Sequence, residues 1–492
     1  MYKTLLISTL LFHVAAEYSF AQDLQSVQPA GSYTLYEIVD MAKSTSISAL
    51  KAATLKENNY WQWRVYKSNY KPQLILTATI PDYSKTNNPV TQPDGTTQYQ
   101  PVSISNSNAT LSLSQSVAPT GGSIFFNSQV WRFDDFNGNY KRYNAYPFII
   151  GFNQPVFAFN QLKWDKKTEP LRYEESLKGY RVDVEQVSVN AAVFFFNLLI
   201  AQINLDIARN NVANNDTIYK IAQLRKELGR MSEHDLLQVK LSLLNSRKDI
   251  AAAELALQTS TLDLKTFIGQ TDSNRMEVRI PFDIPSFDVD ENTAIEKALK
   301  NRPDPVSFRR QLIEAQRDVV KAIRDNRLNM NIYGTFGLAS RSDDLKRLYT
   351  DPRDQQTLKI GLLVPVLDWG RAKARIKTAE ANRKLTEYSI EQERVTFRQE
   401  IITQIKQFHT IRTQLILTRE ADSTAQQRYN ISKQSYLVGN MPVTDLNIAM
   451  QEKDKAKQEY IEAIRNFWIS YYSIRLLTLY DFMTATDLGY HG

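Results

Sequence analysis

The chain has no cysteine among its 492 residues. That absence excludes disulfides, thiolate metal sites, a cysteine nucleophile and a lipid-modified N-terminal cysteine. Histidine is nearly absent too: His13 and His491 lie near the two ends, and His234 and His409 stand apart from any acidic cluster. The triplet Glu233-His234-Asp235 has metal-ligand composition, but adjacent residues on a helix point in different directions. No glycine loop ending in Lys-Ser/Thr is present, so no ATPase resides in the chain. An enzyme, a metal and a cofactor are therefore not expected. The net charge of +7 is spread along helical segments with no dense basic block, which reads as solvated helix faces rather than a nucleic-acid surface.

Long apolar runs are missing as well. Lys3 precedes an apolar stretch from Leu5 to Ala16, and Ser19-Phe20-Ala21 ends in a small-x-small pattern before Gln22. This predicts a signal peptide over residues 1–21 and an exported mature protein. Nothing later approaches about 18 continuous apolar residues, so no transmembrane helix is expected.

Two stretches organise what remains. Leu228-Gly229-Arg230-Met231 and Val438-Gly439-Asn440-Met441 each interrupt a very long helical pattern, and Gly229 and Gly439 stand 210 residues apart. Glycine reaches the left-handed conformation that ends a helix, so each stretch predicts a hairpin tip. The offset holds elsewhere: Pro155-Val156-Phe157 matches Pro365-Val366-Leu367, and the seam residues Val187, Ala191, Leu198, Ala201 and Leu205 match Phe397, Ile401, Phe408, Ile411 and Leu415. The chain is thus two tandem structural repeats, the first over 22–269 and the second over 293–482, joined by a linker at 270–292 and followed by a tail at 483–492.

Within the first repeat, a helix is predicted over 34–70, with Thr34 as N-cap and Tyr60, Trp63, Tyr66 and Tyr70 as a packed aromatic stripe. Over about 73–154 the period falls to 2. Leu74-Leu76-Ala78-Ile80, Leu111-Leu113, Ile124-Phe126 and Tyr146-Phe148-Ile150-Phe152 alternate with polar or small residues. Each segment has roughly the 9–11 residues a tilted strand needs to cross a bilayer. The polar runs 82–106 and 134–144 read as long loops. A long helix follows over 156–228, roughly 110 Å at about 1.5 Å per residue, and a return helix begins at Glu233. The second repeat is expected to hold a helix over 293–328, strands over about 331–364, a long helix over 366–438 and its own return helix. Two short helices stacked end to end beside one long helix make a rod-like palisade, strands at one end and glycine tips at the other.

This order of elements, with the Pro-Val-aromatic junctions and the two glycine tips, resembles the TolC family of outer-membrane efflux proteins over roughly residues 34–482. The resemblance implies a fold that is mainly α with transmembrane β: a long coiled-coil α-helical barrel joined to an outer-membrane β-barrel, assembled as a homotrimer. It implies a channel subunit of a tripartite efflux or type I secretion system in the bacterial outer membrane, its helical part in the periplasm. Many relatives carry a lipidated N-terminal cysteine; this chain has no cysteine, so no lipid anchor is expected. Its partners would be a periplasmic adaptor, an inner-membrane transporter, outer-membrane lipid, and exported small molecules or polypeptides. The adaptor-contacting tips fall on Leu228, Gly229, Arg230, Val438, Gly439 and Asn440, and the acids of the aperture on Asp235 and Asp445. Arg225, Arg230 and Lys433 are candidate salt partners for those acids. Two departures stand out. The family's second aperture acid is Ile448 here, and four strand-like segments in repeat one exceed the two of the usual twelve-strand trimeric barrel. The extra hairpin either lies outside the barrel or enlarges it. The rival reading is a periplasmic coiled-coil adaptor or scaffold without channel activity, which would need neither matched hairpins nor bilayer-length strands.

Overall fold

The computed structural model of the chain describes residues 32–271 and 276–489; the predicted signal peptide lies outside them. In chain order the elements are β1 (Ser32–Tyr33), α1 (Leu35–Thr45), α2 (Ile47–Ser68), β2 (Gln73–Thr91), β3 (Thr97–Val117), β4 (Gly122–Asp135), β5 (Tyr140–Val156), α3 (Gln161–Glu227) and α4 (Glu233–Phe267). There follow β6 (Glu277–Val278), α5 (Glu291–Asn301), α6 (Asp304–Asp325), β7 (Asn329–Ser342), β8 (Arg353–Leu363), α7 (Arg371–Val438), α8 (Val443–Thr478), β9 (Tyr480–Asp481) and β10 (Thr486–Asp487).

The helices form the expected palisade. On one side α3 packs against α2 and α4, on the other against α6 and α8, and α7 packs against α6 and α8. The outer members are therefore α2 with α4 at one edge and α7 at the other. The predicted seam is the core: Val187, Ala191, Leu198, Ala201 and Leu205 are buried, as are Phe397, Ile401, Phe408 and Leu415. α3 also contains a window long and apolar enough to cross a membrane by composition, half of it buried inside the protein.

The helices predicted over 34–70 and 293–328 are each broken in two, for a reason the structure makes plain. The C-terminus of α4 abuts the α1–α2 junction, where Thr45 Oγ1 donates to the Ile268 carbonyl at 2.6 Å. The C-terminus of α8 abuts the α5–α6 junction, where Asn301 Nδ2 donates to the Thr478 and Leu479 carbonyls, both at 3.3 Å, and Arg302 donates to the Leu476 carbonyl at 3.2 Å. Each break thus feeds donors to carbonyls that a helix end leaves without intrahelical partners. Locally, Ser46 recaps α2 through the Ala49 amide, and Pro303 bars the helical conformation at Arg302. The aromatic stripe packs α2 on α3: Trp63 stacks on Tyr66 at 4.9 Å and on Tyr173 at 5.2 Å. The described part of the linker from residue 276 onward is packed, since β6 pairs in parallel with β1 and Phe287 stacks on Phe408.

All six long strands belong to one antiparallel sheet in the order β2-β3-β4-β5-β7-β8. The additional hairpin of repeat one is therefore part of the sheet, not an appendage outside it. Register gathers the apolar residues on one face. Leu74 pairs with Leu113, Leu113 with Phe126, Phe126 with Ile150, and Ile150 with Phe336; Ile332 pairs with Ile360. The opposite face carries Thr77 with Thr110, Ser112 with Asn127, and Tyr333 with Lys359.

The polar run 82–106 is not a loop. It continues the β2–β3 ladder, Asp82 pairing with Asn106 and Thr91 with Thr97, so the hairpin reaches roughly 30 Å past Asp82 at about 3.4 Å per residue. Neither face of this extension is apolar, so alternation could not reveal it. Backbone pairing carries it, helped by Tyr83 and Ser103, whose hydroxyls meet at 3.1 Å. The run 134–144 likewise shrinks to a turn between β4 and β5, and β8 begins at Arg353 rather than Thr357. The long helices begin five residues later than predicted, at Gln161 and Arg371. The Pro155-Val156 junction is spent as the end of β5, and Phe157 and Trp369 adopt positive φ of 68° and 55° at the two turns.

Candidate functional site at the hairpin tips

At the end of α3 the chain turns through Leu228 and Gly229, whose φ is 68°. The Arg230 amide bonds back to the Arg225 carbonyl at 2.8 Å, closing the helix end as a left-handed glycine cap does. The second tip repeats this: Gly439 has φ 87° and the Asn440 amide bonds to the Ser435 carbonyl at 2.9 Å. No atom lies within 4 Å of a Cβ added at either glycine, so backbone conformation alone requires glycine there. All six predicted tip residues, Leu228, Gly229, Arg230, Val438, Gly439 and Asn440, are exposed at this end of the rod.

The two tips lie side by side around a small core of Ile218, Val239, Tyr429, Tyr436, Leu446 and Met450. Between them opens a cleft of about 380 Å³, lined by Arg225, Arg230, Asp235, Tyr436, Gly439 and Asn440 among others. Arg225 crosses from the first hairpin to the second. Its guanidinium donates to the Tyr436 and Leu437 carbonyls at 2.9 and 3.0 Å and sits 4.9 Å from the centre of the Tyr436 ring. Burial pushes the Tyr436 hydroxyl pKa up, with Arg225 pulling against that rise and Asp235 adding to it.

The two acids are not equivalent. Asp235 is half-buried in the cleft, in the first turn of α4, and accepts from the Ser232 hydroxyl at 2.7 Å while its amide donates back to that hydroxyl at 3.1 Å. Asp445 occupies the matching position in α8 and is exposed, and Pro442 stands where Ser232 would and supplies no side-chain cap. Both sit where a helix N-terminus favours negative charge. Ile448, one turn further on, is also exposed.

Two of the basic residues expected as salt partners do other work: Arg225 caps α7, and Lys433 donates to Asn214 Oδ1 at 2.9 Å. Lys226, not among those candidates, pairs with Glu233. Arg230 lines the cleft beside Asp235. The Arg225 clamp is invisible to repeat matching, since the position 210 residues after Arg225 is Ser435. Among the described residues no group of three or more His, Cys, Asp or Glu is arranged to hold a metal ion.

A sheet with one exposed apolar face, continuous with a palisade of paired long helices that end in twin tips, is the form of a membrane channel subunit with a helical conduit. The chain belongs to the outer membrane efflux protein family, whose model matches residues 62–270 and 294–478. It is an outer-membrane channel component of the efflux type, with its helical part on the periplasmic side, and not an enzyme. Solved channels share the fold. The CmeC outer membrane channel of Campylobacter jejuni is 16% identical, over 93% of this chain and 87% of that one, with a TM-score of 0.65. The open state of the MtrE channel of Neisseria gonorrhoeae is 14% identical, over 92% and 89%, with a TM-score of 0.61. VceC from Vibrio cholerae is 13% identical, over 90% and 95%, with a TM-score of 0.62. A comparison with curated proteins gives no match.

Proposed function

We propose that three copies of this chain form the outer-membrane conduit of a tripartite efflux or type I secretion system. The exposed tips Leu228-Gly229-Arg230 and Val438-Gly439-Asn440 receive a periplasmic adaptor, which couples the channel to an inner-membrane transporter. Asp235 and Asp445 line the aperture through which small molecules or polypeptides leave. The observation that carries this reading is the junction of both tips at one exposed end, opposite the sheet, around a shared cleft. Export through such a site is gating and diffusion, not bond chemistry. Acidic rings favour cations and repel anions, and like charges brought close oppose closure.

Because Asp445 is exposed and Asp235 is tied to Ser232, Asp445 carries most of the selectivity. In planar bilayers, Asp445→Asn is expected to lower the cation preference of single channels more than Asp235→Asn does. Unchanged selectivity in both variants would remove these acids from the aperture.

A further inference from the structure

We propose that the sheet closes with two further copies into an eighteen-stranded barrel, β8 of each copy pairing antiparallel with β2 of the next, rather than into the twelve strands the family resemblance implies. The proposal rests on the trimeric channel reading and deepens it.

Six strands alternate in direction across one unbroken sheet, so β2 leaves the helical end and β8 returns to it. An even number of antiparallel strands lets identical copies join edge to edge and stay antiparallel. Both edges are unpaired and bare: every residue of β2 except Ser84, and every residue of β8 except Thr357, is exposed. In β3, β4, β5 and β7 exposed residues are the minority. Leu74, Leu76 and Ile80 on one edge and Leu358, Ile360 and Leu362 on the other are each at least 63% exposed. Long apolar edge strands recruit another strand, and a closed barrel is the arrangement that removes them.

The two edges also fit each other. Gln73 begins β2 and Leu363 ends β8, both where the sheet meets the helices. Setting Gln73 opposite Leu363 places Leu74 beside Leu362, Leu76 beside Ile360 and Ala78 beside Leu358, which carries the apolar face across the joint without a break. The 11 residues of β8 then cover the part of β2 that crosses the bilayer and leave its polar extension free.

The helices give a second, independent line. The palisade edge that leads into β2 is α2 with α4, and the edge that follows β8 is α7. Leu237, Leu241 and Leu255 on α4, and Leu385, Tyr388 and Ile416 on α7, are exposed apolar residues along those two edges. One rotation that joins the helical edges joins the strand edges as well. Six strands from each of three copies make eighteen, and barrel diameter grows roughly linearly with strand number. The membrane part is then about one and a half times as wide as a twelve-stranded barrel, wide enough for an aqueous lumen, and the narrowing falls at the hairpin tips.

The native chain lacks cysteine, so paired cysteines report the joint without background. Full-length Leu76→Cys/Ile360→Cys is purified in detergent, its native mass measured, and the protein oxidised and run on a denaturing gel. Leu76→Cys with Leu358→Cys and with Leu362→Cys tests the registers two residues either side. The native mass is expected to be that of a trimer, and oxidation is expected to give covalent species of two and three chain masses from at least one of the three pairs. Directly opposed residues in antiparallel strands have Cβ atoms about 4.5–5.5 Å apart, close to disulfide reach. Both single-cysteine variants stay at one chain mass. A native trimer that yields chain-mass product from all three pairs overturns the joint and leaves the channel reading standing. A native monomer overturns both.

Discussion

The most demanding residue in the described structure is Glu185, which is fully buried. Its carboxylate meets the Arg475 guanidinium at 3.1 Å and the Lys43 ammonium at 3.4 Å, so it ties α3 to α8 and to α1. Arg475 in turn reaches Asp481 at 3.4 Å and lies over the rings of Tyr471 and Tyr472. Burial pushes both tyrosine hydroxyls well above their ordinary pKa, with Arg475 pulling the other way, so they remain neutral hydrogen-bonding groups. Tyr471 uses its hydroxyl to donate to Asp481 at 2.9 Å. Breaking a buried pair leaves an uncompensated charge and costs about 3–5 kcal/mol. Glu185→Ala is therefore expected to lower the thermal midpoint of the helical part by that order, and Glu185→Gln, which keeps an acceptor, by less. An unchanged midpoint would show that Asp481 alone satisfies Arg475.

At the scale of elements, the two hairpins look alike in sequence and differ in how they are held. The second tip depends on the first through Arg225, which bonds the last carbonyls of α7. Hydrogen bonds to charged groups contribute about 1.5–3 kcal/mol, less where solvent reaches them, as it does here. Arg225→Ala is expected to speed amide exchange at Gly439 and Asn440 about tenfold, roughly 1.4 kcal/mol, and to leave the amides of Gly229 and Arg230 unchanged. Equal acceleration at both tips would mean that the clamp serves the whole end rather than α7.

The same contrast marks what could be read beforehand. Long helices, tips and apolar strands announce themselves through period and through a constant offset. Three things did not. The breaks at Ser46 and Arg302 exist because another helix end, more than 170 residues away, must be met there. The polar half of the β2–β3 hairpin has no apolar face to show. The inequality of Asp235 and Asp445 turns on a cap, Ser232 against Pro442, that matters once the turn is built.

For the whole molecule, one property decides where it resides: the exposed apolar face that runs through all six strands. On a water-soluble protein such a face would be a liability; facing hydrocarbon it is the anchor. Neighbouring residues on β3 separate the two faces cleanly. Leu111 pairs with Leu76 and belongs to the apolar face, while Thr110 pairs with Thr77 and belongs to the other. A lysine on a lipid-facing strand position costs about 2–4 kcal/mol at the bilayer midplane, whereas lumen positions tolerate charge and tune selectivity. Leu111→Lys is thus expected to reduce folding into lipid vesicles by roughly that amount, measured by denaturant titration of the inserted protein. Thr110→Lys is expected to insert normally and to shift the open channel towards anions. If both lysines were tolerated alike, the sheet would not face lipid at this level, and the barrel would have to cross the membrane at another height or not at all.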